Sequence, residues 1–469
     1  MYKAMNEGAL GFRLVLAALA SGCLLGLVHV VSVVGLQIPF DPNEGWNAYF
    51  TQMAMTTGSP YPRDGGLLVN NYPPLSFYAI AGLTRIVGDA IIAGRIVSLL
   101  ALCVVAYGIG KAAWRMGCTK QQAMFAALLF VACLLLNSDY VGMDDPQLLG
   151  HAIAIGGLIV ALQEPRTPRS MVIAALMFTI AFFVKHNLIL MPLSLTAWLV
   201  PADRRHALTF IASGAIFLLM GLGIFEQTFG SSLFHQVASA RIYTFENVRF
   251  AIHNWLPSAV LPICGALFLC RVGRRDRFAI LACIYTAVAT VGGLLFSGGC
   301  GIDANAMFDA DIALALCAGL LLNHLESEPW GPLVAILYVT PLVILIGDVD
   351  GDWRSADYWL HPMAEERHVA SSDIALLHSN HDPALCEMLS LCYWAGKTPQ
   401  VDVFNLDQRF RTGAQTNRDL LRLIGNRRFT VIELETLKPF PFAPDVQREL
   451  LRNYKIVRTD GERVFFAPR

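Results

Sequence analysis

Eleven apolar stretches dominate the first 348 residues of this 469-residue chain, at 12–36, 90–113, 121–137, 146–163, 169–184, 187–200, 206–229, 254–270, 278–297, 306–323 and 331–348. A helix needs roughly 17–25 mostly apolar residues to cross the hydrocarbon core of a bilayer. The pattern therefore predicts a mainly α, polytopic membrane protein. Stretches 169–184 and 187–200 are short, and only Lys185-His186-Asn187 divides them. A membrane-centred helix does not welcome three polar residues in a row, so the pair reads as two spans or as one broken span, for a total of ten to twelve. The first stretch follows Lys3 and Arg13 and is longer than the ~7–15 apolar residues of a signal peptide, which predicts an uncleaved anchor.

Composition agrees, with 55% apolar and 15% charged residues, where soluble domains carry about 25% charged. The net charge of −1 lacks the basic surplus of a nucleic-acid binder, so no nucleic-acid partner is expected. Basic residues gather in alternate loops: Lys111, Arg115 and Lys120; Arg166 and Arg169; Arg204 and Arg205; Arg271, Arg274, Arg275 and Arg277. These loops are assigned to the cytoplasm by the positive-inside rule. Loops 137–145 and 298–305 hold no Lys or Arg but contain Asp139, Asp144, Asp145 and Asp303, and are predicted to face outside. An odd number of crossings then delivers the chain outside near Asp348, Asp350 and Asp352.

The division expected is a transmembrane domain at 1–348, with an outer loop at 37–89, followed by a small extracytoplasmic α/β domain at 349–469. Within that domain, helices are predicted at 384–396 and 417–428, strands at 401–406 and 429–435, and a hairpin over Lys455–Pro468 around Asp460-Gly461. Most of the eleven cysteines lie in apolar runs, where Cys packs as a small hydrophobe. Cys386 and Cys392 fall on the predicted helix, where a spacing of six turns their side chains apart, so no bridge is expected between them.

Chemistry is concentrated at the outer ends. Asp41 and Glu44 follow the first span; Asp41 precedes Pro42 and can be a turn former or a functional carboxylate. Asn71-Tyr72-Pro73-Pro74-Leu75 opens an apolar stretch, Leu75–Val87, too short to span and suited to lying along the interface. Asp145 before Pro146 has the pattern of a helix cap. Asp144 remains for another role, with His151 near the same helical face. Lys185 can snorkel to the membrane surface or bind a phosphate there. Asp309 sits inside an apolar run, where an ionisable group is costly. Arg241 and Arg249 are further cations without a distinguishing position.

In the order of these features the chain resembles the GT-C superfamily of membrane glycosyltransferases, near protein O-mannosyltransferases, lipid A aminoarabinose transferases and galacturonosyltransferases. The resemblance rests on Asp41 with Glu44, Tyr72-Pro73-Pro74-Leu75, Gly94-Arg95-Ile96-Val97-Ser98, Met143-Asp144-Asp145-Pro146 and Lys185-His186-Asn187. It implies inverting transfer of a hexosyl or pentosyl group from a polyprenyl-phosphate-linked sugar to a lipid, glycan or protein acceptor, among membrane lipids on the extracytoplasmic side. A bacterial inner membrane, with the C-terminal domain periplasmic, is the expected setting. Asp41 is then the expected base, with Glu44 as its catalytic neighbour, and Asp144 or Glu44 positions the acceptor or a divalent ion. Tyr72, Asp144, Asp145, Lys185, His186 and Asp309 are the expected substrate-binding residues, with Lys185 and His186 on the phosphate. A divalent cation, Mg or Mn, is the candidate cofactor at Asp41 and Asp144. Some relatives carry a Lys just before the Pro-Pro turn, where this chain has Asn70 and Asn71. The rival class is a transporter or lipid flippase, but that class tends to place ionisable residues and broken helices at mid-membrane within internal repeats.

Overall fold

The structure, a computed structural model, describes residues 2–62, 66–326, 328, 330–348, 360–435, 441–460 and 463–469. Asp350, Asp352 and Gly461 lie outside the described residues. The chain begins with α1 (Tyr2–Val33), α2 (Pro42–Thr57), α3 (Leu75–Val87), α4 (Ala90–Arg115), α5 (Lys120–Leu135) and α6 (Ser138–Gly142). It continues with α7 (Pro146–Ala161), α8 (Pro168–Val184), α9 (Leu190–Ala202), α10 (Arg204–Phe229), α11 (Ser232–Val237) and α12 (Phe245–Val272). Then come α13 (Arg277–Ser297), a 3₁₀ turn over Ala304–Met307, α14 (Phe308–His324) and α15 (Gly331–Asp348).

Each predicted span overlaps a helix. Six helical segments among the described residues are long and apolar enough to cross a membrane, and the rest are shorter. Helix starts follow the polar residues that cap them. Asp41, Asp89 and Asp145 accept the free N–H groups of α2, α4 and α7, and Thr119 and Thr167 close capping boxes on α5 and α8. Lys185-His186-Asn187 does end one helix, so α8 and α9 are separate.

Burial shows which helices face lipid. In α10 only Ala207 and Phe210 are buried, which leaves an apolar surface suited to acyl chains. The span containing α14 is 94% buried over its most apolar window and forms the centre of the bundle. Two of the basic loops meet: Arg166 and Arg277 both reach Glu164, and Arg166 lies over the Trp198 ring.

The C-terminal part consists of α16 (Ala364–Ser379), β1 (Ala384–Cys386), α17 (Leu389–Trp394), α18 (Val403–Arg411), α19 (Arg418–Gly425), β2 (Val431–Leu434), α20 (Pro444–Asn453), β3 (Tyr454–Asp460) and β4 (Arg463–Pro468). Its sheet has the order β1-β2-β4-β3, with β1 parallel to β2 and the other neighbours antiparallel. Two expectations are corrected here. Residues 384–396 are a strand followed by a short helix, and 401–406 enter helix α18, because Asp402 caps the N–H of Asn405 at 3.0 Å.

The strand-to-helix break at 387–388 also reverses the expectation for the cysteines. Cys386 ends β1, Cys392 lies in α17, and a disulfide joins them with Cα atoms 6.0 Å apart. They do not share a helix, so the reason for excluding a bridge does not apply. Closing so short a loop is worth about 2 kcal/mol in the chain-entropy account. Replacing both cysteines with Ser should accordingly speed proteolysis of the C-terminal part, and in the unaltered protein both thiols should alkylate only after reduction.

The C-terminal part is docked tightly on α2 and the start of α4. Tyr49 donates to the Lys397 carbonyl at 2.7 Å, Trp394 donates to Asp89 at 3.0 Å, and the Tyr393 hydroxyl accepts from the Ala90 N–H. Gly45 is required where α2 meets α17, since a Cβ there would lie 2.3 Å from the Ser390 nitrogen.

Candidate active site

The foundation of the site is an ion pair with no solvent exposure. Arg95 of α4 donates to both carboxylate oxygens of Glu44 at 2.7 Å, and its remaining N–H groups reach the carbonyls of Val34, Leu36 and Ile38. Glu44 also accepts from the N–H groups of Phe40 and Asp144, both at 3.1 Å. The pair therefore fixes the chain between α1 and α2, the segment that ends in Asp41. Glu44 is fully occupied by these bonds and does not line the large cavity described below.

Asp144 is buried beside this pair. Gly94 makes room for it: a Cβ at Gly94 would lie 2.0 Å from a carboxyl oxygen of Asp144. Both of those oxygens lack a hydrogen-bond partner, and burial, with Glu44 and Asp145 nearby, pushes the carboxyl well above the usual range. A neutral acid is the cheaper form in such a place. The Gly94-Arg95 pair in the sequence thus serves two adjacent carboxyl groups.

Asp145 does two jobs. One oxygen accepts from the Gln147 N–H at 2.7 Å as a helix cap, and both accept from the Lys185 ammonium at 2.8 and 2.9 Å. The Lys185 ammonium lies 4.9 Å from the centre of the buried Tyr72 ring. Lys185 is therefore a held cation and not a snorkelling anchor. An ammonium has three N–H donors, so one donor remains after both oxygens of Asp145 are served. Arg241 lies within electrostatic reach of Lys185, Tyr72 and the exposed His186, and donates to the Cys300 carbonyl at 2.9 Å.

Asp309 is placed apart, inside the bundle. Its carboxylate accepts from the Tyr285 hydroxyl at 2.5 Å and lies 3.4 Å from His151 Nε2, while His151 Nδ1 meets the Gln147 carbonyl at 2.9 Å. This buried network ties α7, α13 and α14 together and contributes nothing to the cavity lining.

The cavity itself, of about 630 Å³, opens between helix ends of the bundle and the C-terminal part. Asp41, Asp303, Asp311, Glu387 and Glu435 line it, with Trp46, Tyr140, Phe250, Trp255 and Phe404 among the aromatic residues. Trp46 stacks on Phe404 at 5.8 Å, and the Trp255 indole donates to Asp311 at 2.8 Å. One oxygen of Asp41 caps α2 through Asn43 at 2.7 Å. Burial pushes this carboxyl up to about 7; the Asn43 N–H opposes the shift, while the charges of Asp145, Glu44 and Asp303 add to it. A carboxylate of this kind is a competent base near neutrality.

Of the residues singled out from sequence, Asp41 and Asp303 reach the cavity, and Tyr72, Asp145, Lys185 and Arg241 lie in a connected group beside it. Glu44 and Asp144 stand behind them, and Asp309 stands elsewhere. The aromatic wall and the two glutamates of the C-terminal part were not legible. Glu387 and Glu435 directly follow the parallel strands β1 and β2, the edge at which ligands commonly bind in α/β sheets. Strand β1 reads as helix from sequence, which hid that signal.

A divalent ion at Asp41 and Asp144 does not fit these residues. Asp144 is sealed from the cavity that Asp41 lines, and the described residues contain no group of three or more His, Cys, Asp or Glu side chains able to hold a metal.

Fold and comparison agree on the class: the chain is an integral membrane protein that shares the fold of ArnT. Residues 71–225 match the family described as dolichyl-phosphate-mannose-protein mannosyltransferase, a stretch that includes Tyr72, Arg95, Asp144, Asp145 and Lys185. ArnT from Cupriavidus metallidurans, solved bound to undecaprenyl phosphate, is 15% identical with a TM-score of 0.63 over 96% of this chain and 97% of that one. Its apo structure gives the same identity and TM-score over 98% of each chain. No curated protein matches at the sequence level.

Proposed function

We propose that this protein is an inverting glycosyltransferase that moves a sugar from a polyprenyl-phosphate donor to an acceptor hydroxyl on the extracytoplasmic side of a bacterial inner membrane. The observation that carries this reading is the placement of Asp41 in a large outer cavity, with the cations Lys185 and Arg241 beside it. ArnT, whose fold this chain shares, is solved with undecaprenyl phosphate. The disulfide supports an oxidising compartment for the C-terminal part.

In the proposed step the acceptor oxygen attacks the anomeric carbon and forms the new glycosidic bond. The bond from that carbon to the phosphate oxygen breaks, and the lipid phosphate leaves with the electron pair. Asp41 takes the acceptor proton. Lys185 and Arg241 stabilise the negative charge that develops on the phosphate. Tyr72 supports the Lys185 ammonium through its ring face, and Asp145 aims it. His186, beside these cations, would add a further contact to the phosphate. Glu44, with Arg95, positions Asp41 without touching substrate. Asp144 fills a buried slot behind them, and Asp309 holds the bundle.

The phosphate assignment is tested by donor kinetics. Lys185→Ala alone would strand a buried Asp145 charge, so the informative variants are Arg241→Ala and the double change Lys185→Met with Asp145→Asn. Each should raise the donor KM by roughly 10-fold or more, the size of losing one or more charge-assisted hydrogen bonds, with the acceptor KM little changed. Unaltered donor KM in both would remove these cations from the phosphate site. A protein that only transports would instead move labelled lipid across liposomes without releasing polyprenyl phosphate.

A further inference from the structure

The cavity has a charge character that bears on the acceptor, given the reading above. Its lining contains five carboxyl groups, from Asp41, Asp303, Asp311, Glu387 and Glu435, and no Lys or Arg among the described residues; Asp41 and Glu387, raised to about 7 by burial, add their full charge only above that pH. The acids come from separated parts of the chain: the start of α2, the turn before α14, α14 itself and the ends of β1 and β2. A concave site lined by one sign of charge concentrates ligands of the opposite sign and repels its own. The cations that suit a phosphate, Lys185 and Arg241, lie beside this lining and are not part of it.

The wall also carries planar aromatic rings and neutral amides, set among aliphatic residues such as Leu136, Ile302 and Met307. Trp46 and Phe404 stack, Trp255 is held by Asp311, and Asn137, Asn247 and Asn254 add side-chain donors and acceptors. Rings take up the apolar faces of a pyranose or furanose. Carboxylates and amides accept and donate to its hydroxyls, and at this density they disfavour a second phosphate.

We propose that the acceptor entering this cavity is a non-anionic sugar hydroxyl, and that Glu387 and Glu435 of the C-terminal part exclude phosphorylated acceptors. The C-terminal part is then a specificity-determining wall of the same site, not a separate binding module.

Cys300 lines the cavity, so its thiol can report the local potential without any transfer. The test uses the full chain in neutral-lipid nanodiscs, with its other free cysteines replaced by Ser or Ala, and a second reporter in which Cys300 is replaced as well and Asn254→Cys supplies the thiol. Cationic aminoethyl methanethiosulfonate should react at least 10-fold faster than anionic sulfonatoethyl methanethiosulfonate at both reporters, after normalisation to a free thiol. Glu387→Gln with Glu435→Gln should compress that ratio. Equal or faster reaction of the anionic reagent at both reporters would overturn the proposal.

A second arm treats an envelope acceptor fraction with alkaline phosphatase, then supplies the purified protein with polyprenyl-phosphate sugars. Transfer should persist after the treatment. Transfer abolished by phosphatase would overturn the acceptor class while leaving the glycosyltransferase reading intact. Transfer absent in treated and untreated fractions alike would contradict that reading, and the acceptor proposal with it, whatever the thiol reagents report of the cavity.

Discussion

Asp41→Asn is expected to lower transfer by about 10²–10⁴-fold, the usual contribution of a general base, while leaving expression and insertion unchanged. Asn keeps the size of Asp and can still accept from the Asn43 N–H that starts α2, so the helix cap survives. What is lost is the site for the acceptor proton. The pH profile gives an independent reading. With burial raising the Asp41 carboxyl to about 7, the active form is the deprotonated one, and the rate should climb as pH rises through that value. In Asp41→Asn the residual rate should lose this limb. A normal rate in the variant would leave Glu387 as the next carboxyl to test, since burial also raises it to about 7 and it lines the same cavity.

Arg95→Met is expected to have the largest effect on the folded protein. Removing one partner of a buried pair leaves an uncompensated charge and costs about 3–5 kcal/mol. Here the loss is compounded, because the guanidinium also satisfies the carbonyls of Val34, Leu36 and Ile38. Thermal unfolding of the detergent-solubilised variant should begin at a clearly lower temperature, and the surviving protein should transfer poorly because the segment leading to Asp41 loses its anchor. Glu44→Gln should also destabilise, because it leaves the buried Arg95 charge uncompensated, although the amide oxygen and the carbonyls of Val34, Leu36 and Ile38 still accept from the guanidinium. Combining it with Arg95→Met should recover part of the stability and little of the activity. Equal stability of Arg95→Met and the unaltered protein would contradict the role given to the pair.

The membrane part was readable because lipid imposes a simple rule on sequence: an apolar run of sufficient length must satisfy its backbone as a helix. Lys185-His186-Asn187 could be read as a break for the same reason. Caps were also legible, as with Asp145 before Pro146, since the chemistry is local. The partners of Glu44, Asp144 and Lys185 were not, because Arg95, Gly94 and Asp145 reach them across helices, and no spacing encodes that. In the C-terminal part the short apolar segment 384–396 carries no clear period, and its division into β1 and α17 depends on pairing with β2, some 45 residues later. That division determines both the disulfide and the position of Glu387.

The most direct test of the central claim follows the donor and the product together, using the purified protein, polyprenyl-phosphate sugars extracted from membranes and an envelope acceptor fraction. Mass spectrometry should find one polyprenyl monophosphate released for each sugar transferred, NMR should find the anomeric configuration inverted, and both signals should disappear in Asp41→Asn. Retention of configuration, or donor consumption that continues unchanged in Asp41→Asn, would contradict the account.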